Sequence, residues 1–104
     1  MQPEHWDENK YGPLTETNME RMLMDRGYRV TCYVYPPGTY FPPHTHNVDK
    51  IDGVIAGRFR MEMEGASVVL EAGDTLVVPK GMVHSAAVVG DEPVVSLDAV
   101  CVSC

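Results

Sequence analysis

From Tyr28 to Val102 the chain runs as a series of short segments in which apolar and polar residues alternate, separated by glycine and proline. Tyr28, Val30, Cys32 and Val34 alternate with Arg29, Thr31, Tyr33 and Tyr35. Further on, Phe59, Met61 and Met63 alternate with Arg58, Arg60, Glu62 and Glu64. Successive side chains of a strand point to opposite faces, so a period of two marks a strand with one buried face. Val68–Leu70, Leu76–Val78, Val83–Val89 and Pro93–Val102 read as further strands. Pro36-Pro37-Gly38, Gly65, Gly73-Asp74, Pro79-Lys80-Gly81 and Gly90–Pro93 supply the turns between them. About seven or eight short strands at this spacing predict an all-β sandwich or barrel.

Upstream the pattern changes. Residues 1–14 are mostly polar, with Pro3, Gly12 and Pro13, and read as an extended arm. Thr17-Asn18-Met19-Glu20 has the form of a capping box, and Met19, Met22 and Leu23 follow at helical spacing. Gly27 supplies a left-handed stop, so one short N-terminal helix is expected over 17–27. The stripe of methionines reads as packing rather than as a binding surface. A chain of 104 residues without linker or repeat is expected to form one domain over 1–104, with the barrel over 28–102. At this size the stability margin is thin, and association adds buried area.

A net charge of −7 argues against nucleic acid and against an anionic membrane surface as partners. No apolar run approaches the length of a membrane span, and the first 20 residues lack the apolar region of a secretory signal. A cytoplasmic location is the expectation. Cys32, Cys101 and Cys104 leave an odd thiol. They read as two buried strand thiols and one terminal thiol, with a redox or metal role for Cys101 and Cys104 as the second reading.

Three of the four histidines fall in or beside β segments. His44 and His46 are one residue apart, so an extended strand would project both rings from one face. That geometry suits two ligands on one metal, and His84 could approach from a neighbouring strand. The pair alone is a weak signal, since two surface histidines flanking a threonine are common. His5 lies alone in the polar arm and is given no role.

The surrounding spacing is more specific. Gly38, His44-Thr45-His46, Lys50 and Gly57 resemble the first motif of the cupin superfamily, and Gly73, Pro79-Lys80-Gly81 and His84 resemble the second. The resemblance runs from Gly38 to Ala87 and is to small single-domain cupins. It implies a double-stranded β-helix, the jelly-roll barrel, with its site inside. It also implies one divalent transition metal (Fe, Mn, Zn or Ni) on His44, His46 and His84. Phe59, Met61 and Met63 would form part of the apolar wall around it.

Two positions depart from the family pattern. The first motif usually carries a glutamate that completes the ligand set, and here that residue is Lys50. An ammonium facing the metal would repel it. Lys50 would then turn away to leave a three-histidine site, or Asp49 or Asp52 would supply a carboxylate, or the metal would be lost. Lys50 and Asp52 are the candidate catalytic residues, as acid, base or anion clamp, with a structural ion pair as the plainer reading of Lys50. The second departure is Val88, where the family usually has asparagine, and it reads as an inward-packing strand residue.

Fold does not determine function. The expected function is that of a metalloenzyme of dioxygenase, isomerase or lyase type acting on a small polar or anionic metabolite, with a non-catalytic ligand-binding module as the alternative. Tyr33, Tyr35 and Tyr40 are candidate pocket hydroxyls. A homodimer is expected, with the 1–14 arm exchanged and Trp6 and Tyr11 covered by the partner.

Overall fold

The computed structural model describes residues 1–102 and residue 104. Two short helices, α1 (Glu8–Tyr11) and α2 (Glu16–Asp25), precede eight strands. These are β1 (Tyr28–Tyr35), β2 (Tyr40–His44), β3 (Lys50–Ala56), β4 (Phe59–Met63), β5 (Ala66–Leu70), β6 (Thr75–Val78), β7 (His84–Val88) and β8 (Val94–Cys101). They form two four-stranded antiparallel sheets, ordered β1-β8-β3-β6 and β2-β7-β4-β5. The expected all-β jelly-roll barrel is therefore the fold. No helix among the described residues is long and apolar enough to cross a membrane.

The alternation read from the sequence places two separate cores. Between the sheets, Val54, Phe59, Met61, Met63, Leu70 and Leu76 pack with Val78, Ala86, Val88 and Val94. Val88 thus packs inward, as its strand position predicted. The second core lies outside the barrel, where Met19, Met22 and Leu23 of α2 cover Ile51, Leu97 and Ala99 of β3 and β8. β3 is consequently buried on both faces from Lys50 to Val54, and its inward face is free to carry Lys50 and Asp52. That double coverage is the structural role of the helix.

The N-terminal segment differs from expectation in three ways. The helix is capped by Thr15, whose hydroxyl accepts from the Asn18 amide at 3.0 Å, so it starts at Glu16 rather than at residue 17. Thr15 and Thr17 are both competent caps, and tertiary packing decides between them. α1 is an additional single turn, capped by the Asp7 carboxylate. Residues 1–14 also lie along the chain's own sheet rather than projecting from it. Glu4 and Thr75 exchange backbone hydrogen bonds of 2.8 and 2.9 Å on the outer side of β6, and Arg26 pairs with Glu4 at 2.8 Å. Trp6 and Tyr11 pack on the second core, so they need no partner chain to cover them.

The cysteines also depart from expectation. Cys101 and Cys104 are joined as a disulfide, a Cys-x-x-Cys pairing that their reading as independent thiols overlooked. Cys32 is free and exposed on edge strand β1.

Candidate metal centre

The histidine strand is built around an irregularity. Phe41 pairs with Ala86 and His44 pairs with His84, so β2 carries one extra residue between these two pairs. In a regular strand, residues three apart face opposite ways. The bulge at Pro42-Pro43 restores the phase, and Phe41 and His44 both line the same cavity. Proline is tolerated at a bulge because no ladder donor is required there. His46 lies beyond the end of β2 rather than within a strand. Its loop is held by the second-motif turn: Gly81 donates to the His46 carbonyl at 2.9 Å, and Lys80 donates to the Asp49 carboxylate at 2.7 Å.

The three rings converge from these separate elements. Their centroids are 4.3 Å apart for His44 and His84, 4.8 Å for His44 and His46, and 5.1 Å for His46 and His84. One nitrogen from each lies within 4.8 Å of the others, a set that could hold a metal ion. Nδ1 of His44 donates to the Pro42 carbonyl at 2.6 Å, and Nδ1 of His84 donates to the Met82 carbonyl at 2.9 Å. A backbone acceptor on Nδ1 selects the tautomer whose Nε2 lone pair is free, which is the form that ligates metal. Burial pushes the His46 and His84 pKa values down, with further lowering from Lys50 and from the neighbouring rings. Both shifts favour the neutral, ligating imidazole. The donor set fits a divalent transition metal.

Lys50 is buried, and its ammonium does not stand unpaired among the imidazoles. Nζ lies 2.8 Å from Asp98 Oδ1 and 3.8 Å from Asp52 Oδ1. Asp98 is a residue that sequence reasoning missed. Its signal lies in the alternation of β8, where Ser96 and Asp98 share one face and Leu97 and Ala99 the other, with the polar face turned inward. Burial pushes the Asp52 pKa up to about 6, with Lys50 opposing and Asp98 adding to the rise. Tyr35 is pushed up to about 12 by burial and by Asp98 and Asp52, so its phenol is a donor at neutral pH.

These groups line a cavity of about 130 Å³. The three histidines and the charged residues Lys50, Asp52 and Asp98 all line it. Phe41, Phe59 and Met61 supply its apolar lining, with Tyr35 and Ser96 as further polar groups. Met63 belongs to the core but is not among the residues lining the cavity. Of the candidate tyrosines only Tyr35 reaches it; Tyr33 and Tyr40 are exposed. Asp49 is committed to Lys80 and Asp52 to the Lys50 cluster, and neither joins the converging ligand group. The larger groove beside the β4–β5 turn, about 420 Å³, is open to solvent and reaches only one of these histidines, His84.

The comparisons with known proteins agree with this geometry. The sequence matches the cupin domain family Cupin_2 over residues 32–100. It is 38% identical over 94 residues to germin-like protein 9-3 of Oryza sativa subsp. japonica, covering 83% of this chain and 44% of that protein. The chain thus spans less than half of that relative. Among solved structures, KdgF from Halomonas sp. is 28% identical with a TM-score of 0.63, covering 71% of this chain and 68% of that one. The DMSP lyase DddQ from Ruegeria pomeroyi is 27% identical with a TM-score of 0.66, covering 74% of this chain and 39% of that one. Two sheets closing over a histidine-lined cavity, matched by the family over nearly all the strands, establish that the chain belongs to the cupin domain family.

Proposed function

We propose that this protein is a metal-dependent enzyme of lyase, isomerase or dioxygenase type that acts on a small polar metabolite within its barrel. The observation that carries the reading is the convergence of His44, His46 and His84, two of them with backbone-fixed tautomers, beside a buried Lys50–Asp52 pair. His44, His46 and His84 would hold one Fe, Mn, Zn or Ni ion. When bound, such an ion supplies Lewis-acid polarisation of a substrate oxygen. The likeness to a DMSP lyase supports the lyase class.

The remaining chemistry belongs to the chain's own residues. Asp52 takes and returns a proton at its carboxylate, since a pKa near 6 suits exchange close to neutral pH. Lys50 Nζ balances the charge that this transfer leaves, and the Tyr35 hydroxyl orients a substrate acceptor. Phe41, Phe59 and Met61 exclude bulk water. A cavity near 130 Å³ admits only a few non-hydrogen atoms, well below the volume of a drug-sized site. The protein is further proposed to act in the cytoplasm as a homodimer, with edge strand β1 and its exposed Val34 as the contact.

Elemental analysis of the purified and reconstituted protein tests the reading. Near-stoichiometric metal in the wild type, absent from His84→Ala, is the expected result. No metal after reconstitution would overturn it and favour a non-catalytic ligand-binding module. The specific ground for that second reading is Lys50, an ammonium at the family's usual glutamate position.

A further inference from the structure

The charged cluster lining the cavity holds two carboxylates, Asp52 and Asp98, and one ammonium, Lys50. Lys50 Nζ sits 2.8 Å from Asp98 Oδ1, yet that contact is not aligned as a hydrogen bond. Asp98 Oδ1 is buried and, among the described residues, has no hydrogen-bond donor. Asp52, itself 8% exposed, meets Lys50 only at 3.8 Å. Buried acceptors of this kind are costly to leave unmet. Asp98 lines the same cavity as the three histidines, so a donor brought by a ligand in that cavity can reach it.

We infer that Asp98 is the specificity residue of the cavity and selects a small ligand carrying a hydroxyl or protonated amine, the donor that its Oδ1 lacks. The inference rests on the proposed reading of the cavity as the substrate site. It narrows the substrate class. A ligand whose only polar group is an anion would meet an ammonium already neutralised by Asp98, and it would leave the carboxylate oxygens unsatisfied. A ligand that carries both an oxygen acceptor and a donor satisfies both Lys50 and Asp98. The test of a built acceptor is discrimination against the analogue that lacks the donor.

Three probes of equal chain length separate the possibilities: propanoate, 3-hydroxypropanoate and β-alanine. Each is titrated by NMR into metal-free and zinc-loaded wild-type protein and into Asp98→Asn. At least one donor-bearing probe is expected to bind about tenfold or more tightly than propanoate, the size of one hydrogen bond to a charged group. In Asp98→Asn that preference should fall to within about threefold, since hydrogen bonds to an ionised acceptor are roughly twice as strong as neutral ones. Equal binding of all three probes to the wild type would overturn the inference without reference to any variant, and the cavity would still stand as a binding site. Binding of none would overturn both. A preference seen in metal-free protein that takes up no zinc would sustain the role of Asp98 while the metal reading fails.

Discussion

Asp52 and Asp98 face each other as register partners across the β3–β8 ladder, and Lys50 Nζ contacts both carboxylates, at 3.8 and 2.8 Å. Like charges directly opposite each other destabilise a sheet. A cation at position 50 offsets that repulsion, which gives a physical reason for lysine where other cupins carry an acid. Removing one member of a buried ion pair strands the other. Lys50→Met should therefore cost about 3 kcal/mol or more in chemical denaturation. Adding Asp52→Asn and Asp98→Asn to it should recover most of that loss. A Lys50→Met protein as stable as the wild type would show that the cluster is not a buried charge network.

The same cluster sets a pH dependence. The Asp52 pKa is raised to about 6 in the folded protein, against about 3.9 for an unfolded aspartate. Stability tied to its protonated form is thus fully present below about pH 4 and is lost as the pH rises through about 6, by up to about 3 kcal/mol. His46 and His84 act oppositely. Their lowered values give stability that is lost as the pH falls below about 6.5. Urea melts of Asp52→Asn and wild type at pH 4 and pH 7.5 isolate the first effect. The variant should gain on the wild type at the higher pH, and a constant difference would count against the raised pKa.

A metal bound to the folded state alone stabilises it by mass action, by about 2.7 kcal/mol at one hundred times Kd. Chelation should then lower the Tm of metal-loaded wild type by several degrees and leave His84→Ala unmoved. Equal shifts in both proteins would place the metal elsewhere.

Thr15 caps α2, whereas Thr17 lies exposed within its first turn. Thr15→Ala is expected to cost about 1 kcal/mol, and Thr17→Ala to stay within about 0.5 kcal/mol of wild type. The opposite order in thermal melts would restore the cap suggested by the Thr17–Glu20 pattern.

Gly57 turns the chain between β3 and β4 at φ +83°, and a Cβ there would collide with the Pro93 carbonyl oxygen. Gly57→Ala meets both a left-handed backbone and a backbone clash, and should destabilise by more than about 2 kcal/mol. A neutral effect in denaturant melts would mean that the β8 approach shifts freely.

How much of this was legible in the chain depends on the range of the interaction involved. The alternation along β4 and the turn residues around Gly57 and Pro79-Lys80-Gly81 are local, and they determined the strands, their buried faces and the all-β class. Motif spacing brought out His44, His46 and His84 together. What tertiary structure alone decided is non-local. The Pro42-Pro43 bulge became visible only against β7, and it is what brings Phe41 and His44 onto one wall. The choice of Thr15 over Thr17 and the docking of Trp6 on the chain's own second core are likewise set by packing, whereas the pairing of Cys101 with Cys104 is local, three residues apart in a Cys-x-x-Cys spacing. Asp98 shows the limit most clearly. In sequence it shares a strand face with Ser96, and nothing local says whether that polar face points inward or outward. Only the pairing of β8 with β3, with α2 covering the opposite face, turns it toward Lys50. Short-range chemistry wrote the strands and the ligands, and the pairing of distant strands decided which charges met.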